Sequence, residues 1–200
     1  MQDKINLVIN IPYHPGNLGK AYNNFMSLVK DDDWVLFLDH DILILRPNWY
    51  ELCINTIKTL RDNNRNPGWI TGVTNSIGCL SQLASNAPTS MDLEEHIVYS
   101  NKLYKQYKDT IVEQKKLVRF SGMFILTSKK AWQSIGGFEE EEKQITHEIG
   151  KYKVTFHCNK FLGVDNDYHL KLTKAGYESF ILPGLYMYHI REKKNLYACI

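Results

Sequence analysis

The residues best suited to chemistry stand in four short clusters. Asp39-His40-Asp41 follows the apolar run Trp34–Leu38, so two carboxylates are set one residue apart where a buried strand ends. In parallel sheets ligands gather outside the carboxyl ends of strands. Paired hard oxygens there suit a divalent cation bridging phosphates, with turn carboxylates capping the following helix as the plainer alternative. Asp165 and Asp167 set two carboxylates at the entrance of a helix, which they could simply cap. Asn17-Leu18-Gly19-Lys20-Ala21-Tyr22-Asn23 opens another helix, whose amides and Lys20 could receive phosphate or ribose oxygens. Met187-Tyr188-His189-Ile190-Arg191 lies near the end, with an imidazole and a guanidinium after a last apolar strand. The same His is also compatible with a plain core or surface role.

These clusters need a scaffold, and the hydrophobic pattern supplies one. Ile5–Ile11 reads as a strand ended by Pro12 and the turn Pro15-Gly16-Asn17. A helix is expected over Leu18–Lys30, and Trp34–Leu38 is the continuous apolar run of a central parallel strand. Pro47 is expected to start a helix reaching Arg61. Strand, helix, strand, helix predicts an α/β chain with a parallel sheet.

Trp69–Val73 and Val118–Leu126 read as further strands, and Thr74–Ser90, rich in Ser, Asn, Gly and Pro, as a loop near a site. Asp92 with Glu95 is expected to cap a helix that buries Leu93, Ile97, Tyr104, Tyr107 and Ile111. Lys129–Ile135 reads as a helix ended by Gly136-Gly137, and Glu139–Lys143 as a solvated acidic loop. A helix over Asn166–Ala175 is expected to end at Gly176. Two short strands, Ser179–Leu182 and Leu185–Tyr188, complete the pattern. With no repeat and no low-complexity linker, residues 1–200 are expected to form one domain.

Composition narrows the functional classes. Twenty-four basic against 22 acidic residues leave a net charge of +2, too even for a nucleic-acid surface, so no nucleic-acid partner is expected. Cys53, Cys79, Cys158 and Cys199 have no C-x-x-C spacing, which argues against a zinc knuckle or disulfide framework and for reduced thiols. No apolar run approaches about 20 residues, so no transmembrane segment and a soluble, cytoplasmic protein are expected. Tyr13, Trp69 and Trp132 are candidate stacking side chains, with core packing as the alternative.

Read in order, the motifs resemble those of the GT-A fold glycosyltransferases, family 2-like enzymes of compact bacterial and viral type. The resemblance rests on Ile11-Pro12-Tyr13-His14, Ala21-Tyr22-Asn23, Asp39-His40-Asp41, Gly122-Met123-Phe124, Gly136-Gly137-Phe138, Val164-Asp165-Asn166-Asp167 and His189. It spans about Ile5 to Arg191. Two departures stand out: Val164 occupies the first acidic position of the family's Glu-Asp pair, and a strand–helix segment of larger relatives is missing.

The resemblance implies a Rossmann-like nucleotide-diphospho-sugar transferase fold, a mostly parallel central sheet flanked by helices. It implies metal-dependent transfer of a hexosyl group from a nucleotide-sugar donor, UDP preferred over GDP, to a hydroxyl of a glycan or other acceptor. Asp39, Asp41 and His189 would serve a divalent cation, Mn²⁺ or Mg²⁺, with imidazole favouring Mn²⁺. Pro12, Tyr13, His14, Lys20, Asn23, His40, Gly122 and Arg191 would meet the donor, and Gly137 and Asp167 the sugar or acceptor. Asp165 would be the general base, giving inversion; a retaining enzyme would not need it. Glu192–Asn195 would fold over the donor as a lid. The competing readings are a haloacid-dehalogenase-type phosphatase, disfavoured by Ile42-Leu43 after the second Asp, and an inactive nucleotide-sugar- or carbohydrate-binding module of the same fold.

Overall fold

The computed structural model describes residues 5–13, 16–114, 120–140 and 163–190, and the backbone of 143–149 and 152–158. In chain order the elements are β1 (Leu7–Asn10), α1 (Leu18–Leu28), β2 (Trp34–Leu38), β3 (Ile42–Ile44), α2 (Trp49–Asp62), β4 (Pro67–Thr74) and a 3-10 turn at Leu80–Gln82. They continue with α3 (Leu93–Tyr107), β5 (Val112–Glu113), β6 (Phe124–Ser128), α4 (Lys129–Ser134), β7 (Lys143–Ile149), β8 (Tyr152–Cys158), α5 (Val164–Lys174) and β9 (Glu178–His189).

The chain is α/β, as its pattern predicts, but the sheet is mixed and not mostly parallel. Seven strands run in the order β1-β2-β6-β4-β9-β3, with β5 also paired to β9. The pairs β1–β2 and β4–β9 are parallel, while β6 lies antiparallel between β2 and β4, and β3 and β5 are antiparallel to β9. The apolar runs give no direction: Phe124–Ser128 is buried on both faces, like any central strand, whichever way it points. Because β6 reverses direction twice over, β1, β2, β4 and β9 all point the same way. Their carboxyl ends, Asn10, Leu38, Thr74 and His189, therefore share one edge of the sheet.

Alternation along β2 separates the two cores. Val35 and Phe37 face Tyr22 and Met26 of α1, Ala131 of α4, and Tyr168 and Leu172 of α5. Trp34 and Leu36 face the other way, toward Cys53, Ile57 and Leu60 of α2. Burial pushes the Cys53 thiol up to about 12, so it is an inert core residue, reduced like Cys79. Cys158 contributes only its backbone to the description and Cys199 lies outside it.

Several expected boundaries move for identifiable reasons. Pro47 precedes α2 and Asn48 takes the N-cap position without a side-chain cap bond, its side chain being held by Arg46 and by the Tyr104 hydroxyl. Asp92 caps α3 by accepting from the Glu94 N–H, while Glu95 accepts instead from Ser90 Oγ. The face of α3 that is buried carries His96 and Ser100, not Leu93 and Ile97, which stay 42% and 37% exposed. His96 tolerates burial because Nδ1 accepts from the Tyr186 hydroxyl, Nε2–H donates to the Ser90 carbonyl, and its ring stacks 3.9 Å from Tyr188. Ile111 lies beyond the helix.

The expected strand at Val118–Leu126 begins only at Phe124, and residues 115–119 lie outside the described set. The two expected final strands are one, β9, with a register shift opposite Gly72/Val73 that absorbs Pro183, Gly184 and Leu185. The short β3 and the hairpin β7–β8 have no counterpart in the sequence reading; Lys143, expected in the acidic loop, begins β7. Among the described residues no helix is long and apolar enough to cross a membrane.

Candidate functional site

The carboxyl edge of the four co-directional strands gathers most of the residues singled out from sequence. After β2 the chain turns at once: the Ile42 N–H donates to the Asp39 carbonyl (3.2 Å), and β3 departs along β9. That turn exposes His40 at its tip and brings Asp41 back against the last residue of β9. Ile42 is in register with His189, and the Ile190 N–H donates to the Asp41 carbonyl (2.9 Å). Two residues 148 positions apart are thereby set side by side.

The His189 side chain is fully buried. Its Nδ1 lies 2.8 Å from the Ser76 carbonyl, which can only accept, so Nδ1 carries a proton. Its Nε2 lies 3.0 Å from Asp41 Oδ2. In the neutral ring Nε2 is an acceptor, and a lone pair facing a carboxylate oxygen is unfavourable unless a proton or a cation lies between them. The distance suits a cation: two ligands at about 2.1 Å and a right angle stand about 3.0 Å apart. Among the described residues no three His, Cys, Asp or Glu side chains converge as a full metal cage. One carboxylate and one imidazole would hold an ion whose remaining positions go to water and substrate phosphate.

Asp39 continues the alternation that turns Val35 and Phe37 toward α1. Its backbone N–H donates to the Met123 carbonyl (3.0 Å), which ties the Asp-x-Asp turn to the entry of β6. The adjacent Gly122 N–H donates to Asp165 Oδ2 (2.9 Å), and Asp165 Oδ1 accepts from the Asn166 backbone (2.8 Å) and side-chain amide (3.1 Å). Burial raises the Asp165 carboxyl above its ordinary range, and the Asn166 and Gly122 donors pull it part of the way back. The buried Tyr22 phenol is raised mainly by burial and further by the charges of Asp39 and Asp165. Asp39, Asp165 and Tyr22 are thus one electrostatic unit on the α1 side of the edge.

Other predicted contacts are already used inside the protein. Asn23 accepts from Trp132 Nε1 (2.8 Å) and the Phe138 N–H (2.9 Å), and donates to the Phe138 carbonyl (2.9 Å) and Glu140 Oε1 (2.7 Å). It fixes the Gly136-Gly137-Phe138 turn rather than presenting its amide outward. Gly137 is required there, since it has φ +80° and a Cβ would lie 2.7 Å from Asn23 Oδ1. The start of α1 is likewise covered. Asn17 accepts from the Lys20 N–H (2.7 Å) and donates to the Glu140 carbonyl (2.9 Å), and a Cβ on Gly19 would lie 2.0 Å from the Glu139 carbonyl oxygen. The Lys20 side chain is exposed. Asp167 pairs with Lys171 (3.0 Å), which also approaches Glu139 (3.6 Å).

Pro12 is half-buried and Tyr13 is 87% exposed, just past β1; His14, Arg191 and Glu192–Asn195 lie outside the described residues. Trp69 is a core residue, fully buried with Nε1–H donating to the Phe124 carbonyl. Trp132 is committed to Asn23 and to Lys129 over its ring.

Three residues that the sequence reading passed over belong to the site. Gln82 is fully buried and binds both backbone groups of Ser121, accepting from its N–H (2.8 Å) and donating to its carbonyl (3.0 Å). Asn75 and Ser76 hold His189. All three fall in the Thr74–Ser90 stretch, whose composition marks a loop near a site but no individual role.

Comparison of the chain with protein-family models, curated proteins and solved structures gives no match.

Proposed function

We propose that this chain is a metal-dependent glycosyltransferase of GT-A type, moving a sugar from a nucleotide-diphosphate sugar, UDP- before GDP-, to a hydroxyl acceptor, most simply a glycan. The observation that carries this reading is the Asp41–His189 pair, a carboxylate oxygen and an imidazole nitrogen 3.0 Å apart at the carboxyl edge of the sheet. A cation there, Mn²⁺ or Mg²⁺, would be held by Asp41 and His189 with Asp39 nearby. When bound it would neutralise charge developing on a departing nucleoside diphosphate.

In this reading the chain's own groups share the remaining work. Asp165 is the base that takes the acceptor hydroxyl proton as the new glycosidic bond forms, which gives inversion at the anomeric carbon. Its raised proton affinity suits that task, because a base nearer the working pH drives proton removal more strongly. Gly122, Asn166 and Gln82 keep the Asp165 carboxylate and the 120–122 segment in place. Tyr22 supplies an apolar wall of the Phe37–Phe138 cluster under Asp39.

One observation favours a second reading. Both oxygens of Asp165 already accept from protein donors, and Val164 replaces an acid beside it. A module that binds nucleotide sugar without turnover would keep this arrangement.

The test is calorimetric titration of UDP and GDP, each with and without Mn²⁺, on wild type and Asp41→Ala. Metal-dependent binding of one nucleotide, lost in the variant, is the expected result. Absence of binding to either nucleotide with metal present would sink both readings. Binding without sugar transfer or donor hydrolysis would select the module.

A further inference from the structure

The end of β4 meets the end of β9 in an unusual way. Their ladder closes at Thr74 opposite Met187, and the Thr74 carbonyl turns off to accept from the Ala84 N–H (2.8 Å). The next side chain then takes over the role of the backbone. Asn75 Oδ1 accepts from the His189 N–H (2.8 Å), and Asn75 Nδ2–H donates to the His189 carbonyl (3.3 Å). Thr74, fully buried, donates its hydroxyl to the same Oδ1 (3.0 Å), which fixes the amide's orientation. One residue on, the Ser76 carbonyl accepts from His189 Nδ1–H. Asn75 and Ser76 thus grip His189 by both backbone groups and by one ring nitrogen, with Thr74 holding Asn75.

We infer that Asn75 is a positioning residue: with Thr74 and Ser76 it locks His189 in the Nδ1–H tautomer and aims Nε2 at Asp41 Oδ2. This rests on the reading of that pair as an ion site. A strand end needs only its hydrogen bonds satisfied, which water does at an edge. Here the clamp also dictates which ring nitrogen faces Asp41, the function that carbonyl partners of ligand histidines perform. The consequence is selectivity. An imidazole held on target favours Mn²⁺, whereas Mg²⁺ depends on the carboxylate and phosphate oxygens.

Two measurements test it on the full chain. Without any ion, long-range ¹H–¹⁵N spectra of the His189 ring should report the Nδ1–H tautomer in wild type and a tautomer mixture in Asn75→Ala. With UDP present, calorimetry should give a Mn²⁺ affinity about 10-fold lower in Asn75→Ala, with Mg²⁺ affinity changed much less. Thr74→Val keeps shape and core burial and should move both readouts the same way, by less; it serves if Asn75→Ala folds poorly by circular dichroism. An unchanged tautomer, or Mn²⁺ and Mg²⁺ affinities falling together, overturns the inference while wild-type binding leaves the ion site standing. Wild type that binds UDP and GDP no better with Mn²⁺ overturns the ion site, and the inference with it.

Discussion

His189 Nε2 stands 3.0 Å from Asp41 Oδ2, with the opposite ring nitrogen committed to the Ser76 carbonyl. The pair is therefore either bridged by a proton, as an ion pair, or arranged for a cation. Asp41→Asn separates these. An amide N–H can donate to the Nε2 lone pair, so the ion-free variant should match or exceed the wild-type melting temperature. Its Mn²⁺-dependent nucleotide affinity should fall at least about 10-fold, because an anionic ligand is gone. A melting temperature lower by more than about 4 °C, on the order of 1–2 kcal/mol for a chain of this size, would instead identify a proton-bridged ion pair.

On the proposed role of Asp165 as base toward the acceptor, Asp165→Asn should lower turnover by about 10²–10⁴-fold while leaving UDP binding intact. The pH dependence has a definite sign. Burial raises the Asp165 carboxyl, so the group protonates, and the rate falls, at a pH above the ordinary Asp value of about 3.9. The Asn166 donors oppose that rise. Asn166→Ala removes the side-chain donor and keeps the backbone N–H, so it should move the acidic limb of the rate profile up by a small amount. A limb that stays put would remove Asp165 from the chemistry.

The α/β class, the limits of β2 and the entrance of α1 are legible in the sequence because each is a local pattern: five apolar residues in a row, or an Asn before a helical stripe. What is not legible is pairing. Nothing local to Phe124–Ser128 says that it runs against β2, or that Ile42–Ile44 will leave a turn to meet His189. The site divides in the same way. Asp39, Asp41, Asp165 and His189 announce themselves by residue type at strand ends and helix starts. Gln82 and Asn75 bind backbone groups 39 and 114 positions away, the Ser76 carbonyl binds a ring nitrogen 113 positions away, and a polar loop carries no mark of that. Asn23 shows the converse. Its place before the Asp-x-Asp strand suggested donor contact, yet its amide holds residues 109 to 117 positions along the chain.

Asn23→Ala consequently tests architecture. It leaves the Phe138 N–H and Trp132 Nε1–H without their acceptor, and each part-buried donor so stranded costs about 1–3 kcal/mol. A melting temperature lower by roughly 5–10 °C is expected, at about 2–4 °C per kcal/mol. Gly137→Ala should behave alike, from a positive φ and from Cβ contacts of 2.7 and 2.8 Å to Asn23 and Trp132. Nucleotide affinity measured well below the melting transition should change little in Asn23→Ala. A large affinity loss with an unchanged melting temperature would return Asn23 to the donor site.

Glu178 gives a stability effect confined to the other end of the sheet. It begins β9, accepts from Arg65 Nε and from the Asn66 N–H, and Arg65 reaches across to Glu113 of β5. The Arg65 guanidinium holds the Glu178 carboxyl below its ordinary range despite partial burial. A depressed folded-state value means that the stabilisation is complete above the unfolded value, about 4.3, and is lost as pH falls through the lower folded value. Glu178→Gln should therefore melt below wild type at pH 7, keep the same deficit down to about pH 5, and converge with wild type as pH falls through the lowered folded-state value. A deficit that persists at the acidic end would mean that Glu178 acts through packing or neutral hydrogen bonds. Because β9 runs from Glu178 to His189, with the ion pair at its start and the Asp41 contact at its end, UDP binding at neutral pH should be unaffected by the substitution.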